Sequence, residues 1–268
     1  MENKMLLIII PAAFVLLCAV AIGIMRIAIG HGGVMSILST IRLRTHMMRA
    51  EQYKDPNGFA LPYRIYVPEN IAEGEQLPVV LFLSGDGRRG TDNRKQTRAF
   101  GVAHVLLSRS NRAKYPCIVV APQMPLEGNW FDDETMPVLM GMLEQVAANY
   151  PADPARIYVT GLSLGGSGTW EMLLTYPDYF AAGVPICGGG WNPEEEPSLA
   201  SSIKDIPIWA FCGEKDVSWN YRAMVAALEN AGSTRVKYTE YPGEGHWSWG
   251  RTYYEPELYE WMFAQAKQ

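Results

Sequence analysis

The sequence predicts an α/β protein built on a doubly wound, mostly parallel β-sheet. Short apolar runs typical of buried strands alternate along the chain with longer segments whose apolar residues recur at helical spacing. Strands that alternate with helices imply right-handed crossovers, and ligands then bind at the carboxyl ends of the strands. With 268 residues and 48% hydrophobic content, the chain is long enough for one substantial core, and we expect one globular domain.

The individual elements follow from their patterns. Residues 61–68 alternate as a half-buried strand does, whereas residues 78–83 are continuously apolar, as expected of a strand buried on both faces. The further predicted strands are 117–122, 156–159, 183–187, 207–212 and 235–240. The predicted helices are 100–106, 137–150, 170–174, 220–230 and 256–265.

The N-terminal stretch is predicted to lie in a membrane. Residues 5–25 are uncharged, and about 20 apolar residues suffice to cross a hydrocarbon core. A cleaved signal is the alternative, but its apolar region usually runs to about 15 residues. We therefore expect a single-pass membrane anchor or uncleaved signal over 1–29, a linker or amphipathic helix over 30–52, and the catalytic domain over 53–268.

The orientation of this anchor stays open. More basic residues follow the span than precede it, and the positive-inside rule taken literally would place the domain in the cytoplasm. We give the positive-inside rule little weight here and expect an extracytoplasmic catalytic domain. The net charge of -5 offers no basic surface for phosphate contacts, which argues against a nucleic-acid partner.

A serine is presented between a predicted strand and a predicted helix. The run 160–166 reads Thr-Gly-Leu-Ser-Leu-Gly-Gly, with Ser163 between Gly161 and Gly165. A sharp strand-to-helix turn exposes a serine hydroxyl only if small residues let the two elements approach closely. We therefore predict that Ser163 is a nucleophile.

Such a serine needs an imidazole to take its proton and a carboxylate to orient that imidazole. His246 lies in a glycine-rich loop after the last strand, and Asp216 follows the strand that ends at Cys212. The order Ser, Asp, His is the one that the α/β-hydrolase fold uses. Glu214, in the same loop as Asp216, is the alternative acid.

Two backbone amides are expected to hold the oxyanion of the tetrahedral intermediate. One is the amide of Leu164, directly after the nucleophile. The second is expected from the loop Gly85-Asp86-Gly87, with the amide of Asp86 as its donor.

Several motifs together resemble a known family. The runs 81–93, 157–170, 185–190 and 245–249 are similar to the bacterial "predicted peptidase" and esterase branch of the α/β-hydrolases, which includes polyhydroxybutyrate-depolymerase-like and feruloyl-esterase-like carboxylesterases. The resemblance covers the chain from about Tyr53 onward. It implies the α/β-hydrolase fold, with Ser163, Asp216 and His246 as the triad.

Three positions depart from that family's pattern. Ser84 stands where the family usually has histidine before the oxyanion loop, so Ser84 or a water must steady the loop. Asp86 stands where a small residue is usual, and its carboxylate is expected to turn away or to pair with Arg88 or Arg89. Cys212 replaces a usual histidine, and we expect it to be structural.

Other residue types narrow the function further. Trp130 and Trp247 lie in predicted loops at the active end of the sheet and are expected to line a substrate cleft. The four cysteines suit buried thiols, and neither cofactor nor metal site is implied, because the potential ligands lack metal-ligand spacing.

The leading interpretation is a serine hydrolase that cleaves small-molecule or polymer-borne carboxylic esters through an acyl-enzyme. Two alternatives remain. One is a serine peptidase with the same triad; the other is a catalytically impaired, membrane-tethered binding or scaffold protein, suggested by Ser84 and Asp86.

Overall fold

The computed structural model describes residues 46–98, 101–190, 198–217 and 221–267. The described strands are β1 (Arg49–Lys54), β2 (Ala60–Tyr66), β3 (Leu77–Leu83), β4 (Ile118–Pro122), β5 (Ala152–Leu162), β6 (Ala182–Ile186), β7 (Ile208–Gly213) and β8 (Val236–Tyr241). The described helices are α1 (Val102–Leu106), α2 (Arg109–Lys114), α3 (Thr135–Asn149), α4 (Leu164–Thr175), α5 (Ser198–Ile203), α6 (Tyr221–Asn230), α7 (Trp249–Tyr253) and α8 (Pro256–Phe263).

All eight described strands form one sheet in the order β1-β2-β4-β3-β5-β6-β7-β8. β1 and β2 pair antiparallel with each other, and β2 pairs antiparallel with β4. Every pairing from β4 across to β8 is parallel. The predicted doubly wound, mostly parallel sheet is therefore confirmed.

The sheet is covered on both faces, as the continuously apolar strands predict. In β3, Val79 and Leu81 belong to one hydrophobic cluster, to which α3, α4 and α6 also contribute. Val80 and Phe82 belong to a second cluster, which includes residues of α1, α7 and α8. Successive residues of a strand point to opposite faces, so β3 is packed on both sides.

The predicted boundary at residue 53 is too late. β1 begins at Arg49 and pairs along its whole length with β2, from Arg49 opposite Ile65 to Lys54 opposite Ala60. Met48, just before β1, is 2% exposed and packs in the second cluster. β1 is polar and half-exposed, so a hydrophobicity pattern does not detect this edge strand.

Short helices account for most of the other differences. The predicted helix 100–106 is observed as Val102–Leu106, and α2 follows it as a separate helix whose Asn111 amide donates to the Ser108 hydroxyl, 3.2 Å away. The sequence patterns did not reveal α2, α5 or α7, because five or six residues are too few to establish a helical period.

The described residues include no helix that is both long enough and apolar enough to span a membrane. The predicted anchor over 1–29 and most of the predicted amphipathic segment lie outside the described residues.

Candidate active site

Ser163 lies at a sharp turn between β5 and α4. Its backbone has φ 54° and ψ -121°, a conformation that residues other than glycine rarely adopt. A Cβ added at Gly165 would collide with the Leu83 and Ser84 carbonyl groups, and one at Gly161 would collide with Gly165. The predicted need for small residues at this turn is therefore confirmed, and the strained turn projects the Ser163 side chain beyond the sheet.

A chain of hydrogen bonds links the three residues predicted as a triad. Ser163 Oγ lies 2.9 Å from His246 Nε2, and His246 Nδ1 lies 2.8 Å from Asp216 Oδ2. The Asp216 side chain is 1% exposed, whereas that of His246 is 32% exposed. The acid is thus buried, whereas the imidazole that it contacts remains partly open to solvent.

Neighbouring strands deliver the acid and the histidine together. Asp216 follows β7 and His246 follows β8, two strands that pair in parallel from Ile208–Val236 onward. Glu214, the alternative acid, instead accepts a hydrogen bond from the Gly243 amide at 2.6 Å. Glu214 therefore ties the two loops together, and Asp216 is the carboxylate that reaches His246.

The loop after β3 approaches the nucleophile closely. A Cβ added at Gly85 would lie 3.4 Å from the Cβ of Ser163 and 2.9 Å from Leu162 Cδ1, so only a glycine fits without displacement of the Leu162 side chain. The Asp86 side chain is 68% exposed, and its Oδ1 accepts a hydrogen bond from Arg89 Nε at 2.5 Å. Of the two expected outcomes for this carboxylate, the pairing with Arg89 is observed.

Trp130 does not line a cleft, contrary to the prediction from its loop position. Its side chain is 0% exposed, and its indole Nε1 donates to the carbonyl oxygen of Ser84 at 2.7 Å. The Cβ of Trp130 also packs on α4 at Gly168. The prediction failed because tryptophan carries a large apolar surface that is buried whenever the surrounding loops can cover it.

This contact supplies the support that Ser84 was expected to give. The Ser84 side chain is 0% exposed, and its hydroxyl has no hydrogen-bond partner among the described residues. The loop after β3 is therefore held through the Ser84 main chain by Trp130, and within the described residues the Ser84 hydroxyl makes no hydrogen bond that would hold it.

Tyr221, at the start of α6, is a further member of the site that the sequence analysis missed. Its hydroxyl donates to Asp216 Oδ2 at 3.1 Å, the same oxygen that faces His246. Burial raises the pKa of Tyr221 well above its ordinary value, which keeps the phenol protonated at neutral pH. No sequence motif marks Tyr221, since it reads as an ordinary apolar-face residue of a helix.

Cys187 directly follows β6 and was also missed. It has φ 50°, is 1% exposed, and its Sγ lies 2.9 Å from the Ser248 hydroxyl. Hydrogen bonds from the Cys212 thiol and the Ser248 hydroxyl lower the pKa of Cys187 below its ordinary value. Its place at the carboxyl end of a parallel strand is the signal that would have singled it out.

Cys187, Asp216 and His246 also form a group of potential metal ligands. One ligand atom from each lies within 4.8 Å of the other two. The sequence predicted no metal site because these residues are far apart along the chain, and only the fold brings them together. All three cysteines in the described residues are free thiols and buried, as predicted.

Trp247 is the aromatic residue that does face solvent beside the triad. Its side chain is 81% exposed, and its ring centroid lies 4.9 Å from that of Trp249. Trp249 in turn meets the His246 ring edge-on, with the centroids 5.4 Å apart. An apolar surface therefore adjoins the histidine, where a substrate group would find it.

Comparison with known proteins places this geometry in a family. The family model "Esterase", described as "Putative esterase", matches residues 59–257. The chain belongs to this esterase family. The match runs from β2 into α8, and so includes the turn at Ser163 and the loops that carry Asp216 and His246.

Individual relatives agree with that membership. A solved structure described as a thermostable esterase is 36% identical, with a TM-score of 0.78, over 84% of this chain and 64% of that one. Poly(3-hydroxyalkanoate) depolymerase C of Paucimonas lemoignei is 43% identical over 71 residues, 24% of this chain and 17% of that protein. Acetylxylan esterase A of Emericella nidulans is 28% identical over 141 residues, 47% of this chain and 41% of that protein.

These matches confirm the resemblance to the esterase branch of the α/β-hydrolases and the α/β-hydrolase fold of the described domain. The two curated matches span less than half the length of either relative.

Proposed function

We propose that this esterase-family member is a serine hydrolase that cleaves carboxylic esters through an acyl-enzyme. The observation that carries the proposal is the continuous hydrogen-bonded chain from Ser163 Oγ through both nitrogens of His246 to Asp216. A serine hydroxyl is a weak nucleophile at neutral pH, and this arrangement is the one that activates it.

The residues would act in sequence. His246 Nε2 takes the proton as Ser163 Oγ attacks the ester carbonyl, and Asp216 stabilises the resulting imidazolium. The amides of Leu164 and Asp86 donate to the oxyanion of the tetrahedral intermediate. His246 then returns the proton to the departing alcohol, and a water molecule releases the acyl group by the same steps in reverse.

The position of the Asp86 carboxylate supports an active site. A carboxylate facing the oxyanion would oppose the developing negative charge. Because Asp86 is paired with Arg89 and exposed, that opposition is reduced, while its backbone amide stays in the loop beside Ser163. This favours an enzyme over the impaired scaffold protein suggested by the sequence.

The substrate class that we propose is an ester of a small acyl group, either free or borne on a polymer. The curated relatives act on a polyester and on acetylated xylan, to judge by their names. Trp247, exposed beside His246, would bind the part of such a substrate that extends from the reacting carbonyl. Trp247→Ala is expected to raise KM for larger esters and to change kcat little.

Turnover of p-nitrophenyl acetate and butyrate by the purified full chain tests the proposal. Ser163→Ala is expected to abolish turnover and labelling by a fluorophosphonate. Ser167→Ala is the matched control, since Ser167 is a buried serine one turn further along α4. Folded wild-type protein that shows neither turnover nor labelling would overturn the proposal in favour of the scaffold alternative.

Substrates that differ only in their leaving group distinguish the esterase from the peptidase alternative. The same acyl group is presented as a p-nitrophenyl ester and as a p-nitroanilide, so that only protonation of the leaving atom differs. Cleavage of the ester alone supports the esterase. Comparable kcat/KM values for the two substrates would favour the peptidase.

A further inference from the structure

A thiol that the proposed reaction does not use lies next to the proposed triad. Cys187 Sγ, a carboxylate oxygen of Asp216 and a ring nitrogen of His246 all lie within 4.8 Å of one another. Of the two ring nitrogens, Nδ1 is the one that faces Asp216, at 2.8 Å. Thiolate, imidazole and carboxylate are the three ligand types that zinc prefers in proteins.

The spacing of these atoms suits a metal ion after a small shift. Zinc binds sulfur at about 2.3 Å and nitrogen or oxygen at about 2.0–2.2 Å, so that ligands of one tetrahedral ion lie roughly 3–4 Å apart. Three atoms already within 4.8 Å of one another need to close by about 1 Å at most. The three residues supply three ligands, and a tetrahedral ion leaves its fourth position for a water molecule.

The thiol lies beside a polar group and on a constrained backbone. The Ser248 hydroxyl is 2.9 Å from Cys187 Sγ, within hydrogen-bond distance of the atom that would bind the metal. Cys187 is also held in the left-handed region of backbone space at φ 50°, a strained conformation that tends to occur at functional sites.

We propose that Cys187, Asp216 and His246 form an inhibitory site for zinc or a similar thiophilic divalent cation. Binding displaces the thiol proton of Cys187 to solvent. The metal takes the place of the proton on His246 Nδ1. The neutral imidazole then carries its single N–H proton on Nε2 instead. Nε2 then faces Ser163 as a donor and can no longer accept its proton, so that nucleophilic attack stops.

The inhibitory consequence rests on the proposed triad, whereas metal binding itself does not. Binding is therefore measured first and without substrate, by titrating the purified full chain with Co²⁺ in place of Zn²⁺. A thiolate bound to Co²⁺ gives an intense near-ultraviolet charge-transfer band. We expect that band in the wild type, its loss on addition of excess Zn²⁺, and its absence in Cys187→Ser.

Cys117→Ser is the matched control. Cys117 is likewise a buried free thiol, but it is outside the three-residue group. This variant should keep the Co²⁺ band. Absence of the band in the wild type, or its persistence in Cys187→Ser, would overturn the proposal.

Inhibition of p-nitrophenyl acetate turnover by Zn²⁺ is then measured. The activity of each protein is compared with the activity of the same protein in the presence of a metal chelator. Zn²⁺ should inhibit the wild type reversibly, and Cys187→Ser should need at least about 10-fold more Zn²⁺, because even outer partners of a metal site contribute 10–100-fold. Equal sensitivity of wild type and Cys187→Ser would refute the inhibitory role. A protein that shows the Co²⁺ band but no ester turnover would refute the proposed hydrolase and leave the metal site standing.

Discussion

The indole Nε1 of Trp130 donates a hydrogen bond to the carbonyl oxygen of Ser84, 2.7 Å away in the buried base of the oxyanion loop. Ser84 directly precedes Gly85, where an added Cβ would lie 3.4 Å from the Cβ of Ser163. In the proposed mechanism, the buried Trp130 side chain therefore acts as a positioning residue, because it holds the loop that carries the Asp86 amide.

Trp130→Phe keeps an aromatic ring at this buried position but removes the indole N–H and its hydrogen bond. We expect kcat to fall by about tenfold with KM little changed, since losing one oxyanion donor outright costs about 100–1,000-fold and here the donor is only misplaced. The unpaired buried carbonyl should also lower the free energy of unfolding by about 1–3 kcal/mol.

Trp209→Phe is the control for that experiment. Trp209 is also buried, and its Nε1 donates to Thr239 at 2.9 Å between β7 and the edge strand β8, away from the loop after β3. It should lose similar stability while kcat stays unchanged. A Trp130→Phe variant with full kcat would show that the loop holds its shape without the indole.

Ser84→Ala tests whether the Ser84 side chain, in contrast to the Ser84 carbonyl group, is dispensable. Its hydroxyl is buried without a partner in the described residues, and such a group costs about 1–3 kcal/mol of desolvation. The alanine variant should therefore unfold at an equal or higher urea concentration and keep kcat/KM within about twofold. A large loss of kcat would mean instead that the serine hydroxyl, through a bound water, holds the oxyanion loop.

The sequence predicted the fold because the central parallel strands are buried on both faces and therefore read as apolar runs. The candidate site residues were predicted from other signals: Ser163 from its place between two glycines at a strand-to-helix turn, and Asp216 and His246 from their loops and their order after it. The structure brings these three side chains together.

What the sequence could not predict depends on contacts between distant segments. The hydroxyl of Tyr221 and the thiol of Cys187 reach the triad only once α6 and β6 are packed beside β7. The burial of Trp130 follows from its packing on α4 at Gly168, which no local pattern in its loop encodes. The edge strand β1 was missed because a half-exposed strand carries little apolar signal.

Tyr221→Phe is expected to alter the pH dependence of the reaction. Tyr221 and His246 share Oδ2 of Asp216, so removing the phenol leaves more of the carboxylate's charge for the imidazolium. The acid limb of the kcat/KM profile should move to higher pH. The rate plateau should fall by up to about tenfold, because a hydrogen bond to a charged group contributes about 1.5–3 kcal/mol and also orients it.

Tyr253→Phe serves as the comparison, since its buried hydroxyl lies 3.1 Å from Thr160 and is not hydrogen-bonded to the triad. A purely structural role for Tyr221 would lower stability in both variants and leave both pH profiles in place.

The predicted anchor can be tested by extraction from membranes. The full chain should stay in the membrane fraction after alkaline carbonate treatment, whereas a chain lacking residues 1–29 should be released, because about 20 apolar residues suffice to span the bilayer. The run Ala19-Val20-Ala21 has the small residues that a signal cleavage site needs. Release of the full chain, or an intact mass that reveals cleavage after Ala21, would contradict the anchor. A periplasm-dependent reporter fused after Thr45 reports the orientation, and its activity would support the expected extracytoplasmic domain.

Asp132 should make the Trp130 loop sensitive to acid. Burial alone would raise its pKa, but hydrogen bonds from the Thr135 side chain and from the amides of Asn129 and Thr135 outweigh burial and lower it. A lowered pKa stabilises the folded state at pH values above the unfolded-state pKa of about 4, and this contribution is lost as pH falls through the folded-state pKa.

Asp132→Ala should lower Tm by about 2–6 °C at neutral pH, and less as pH drops below about 4. The exposed neighbour Asp133→Ala should change Tm little. A deficit that does not shrink in acid would refute the charge-dependent role of Asp132.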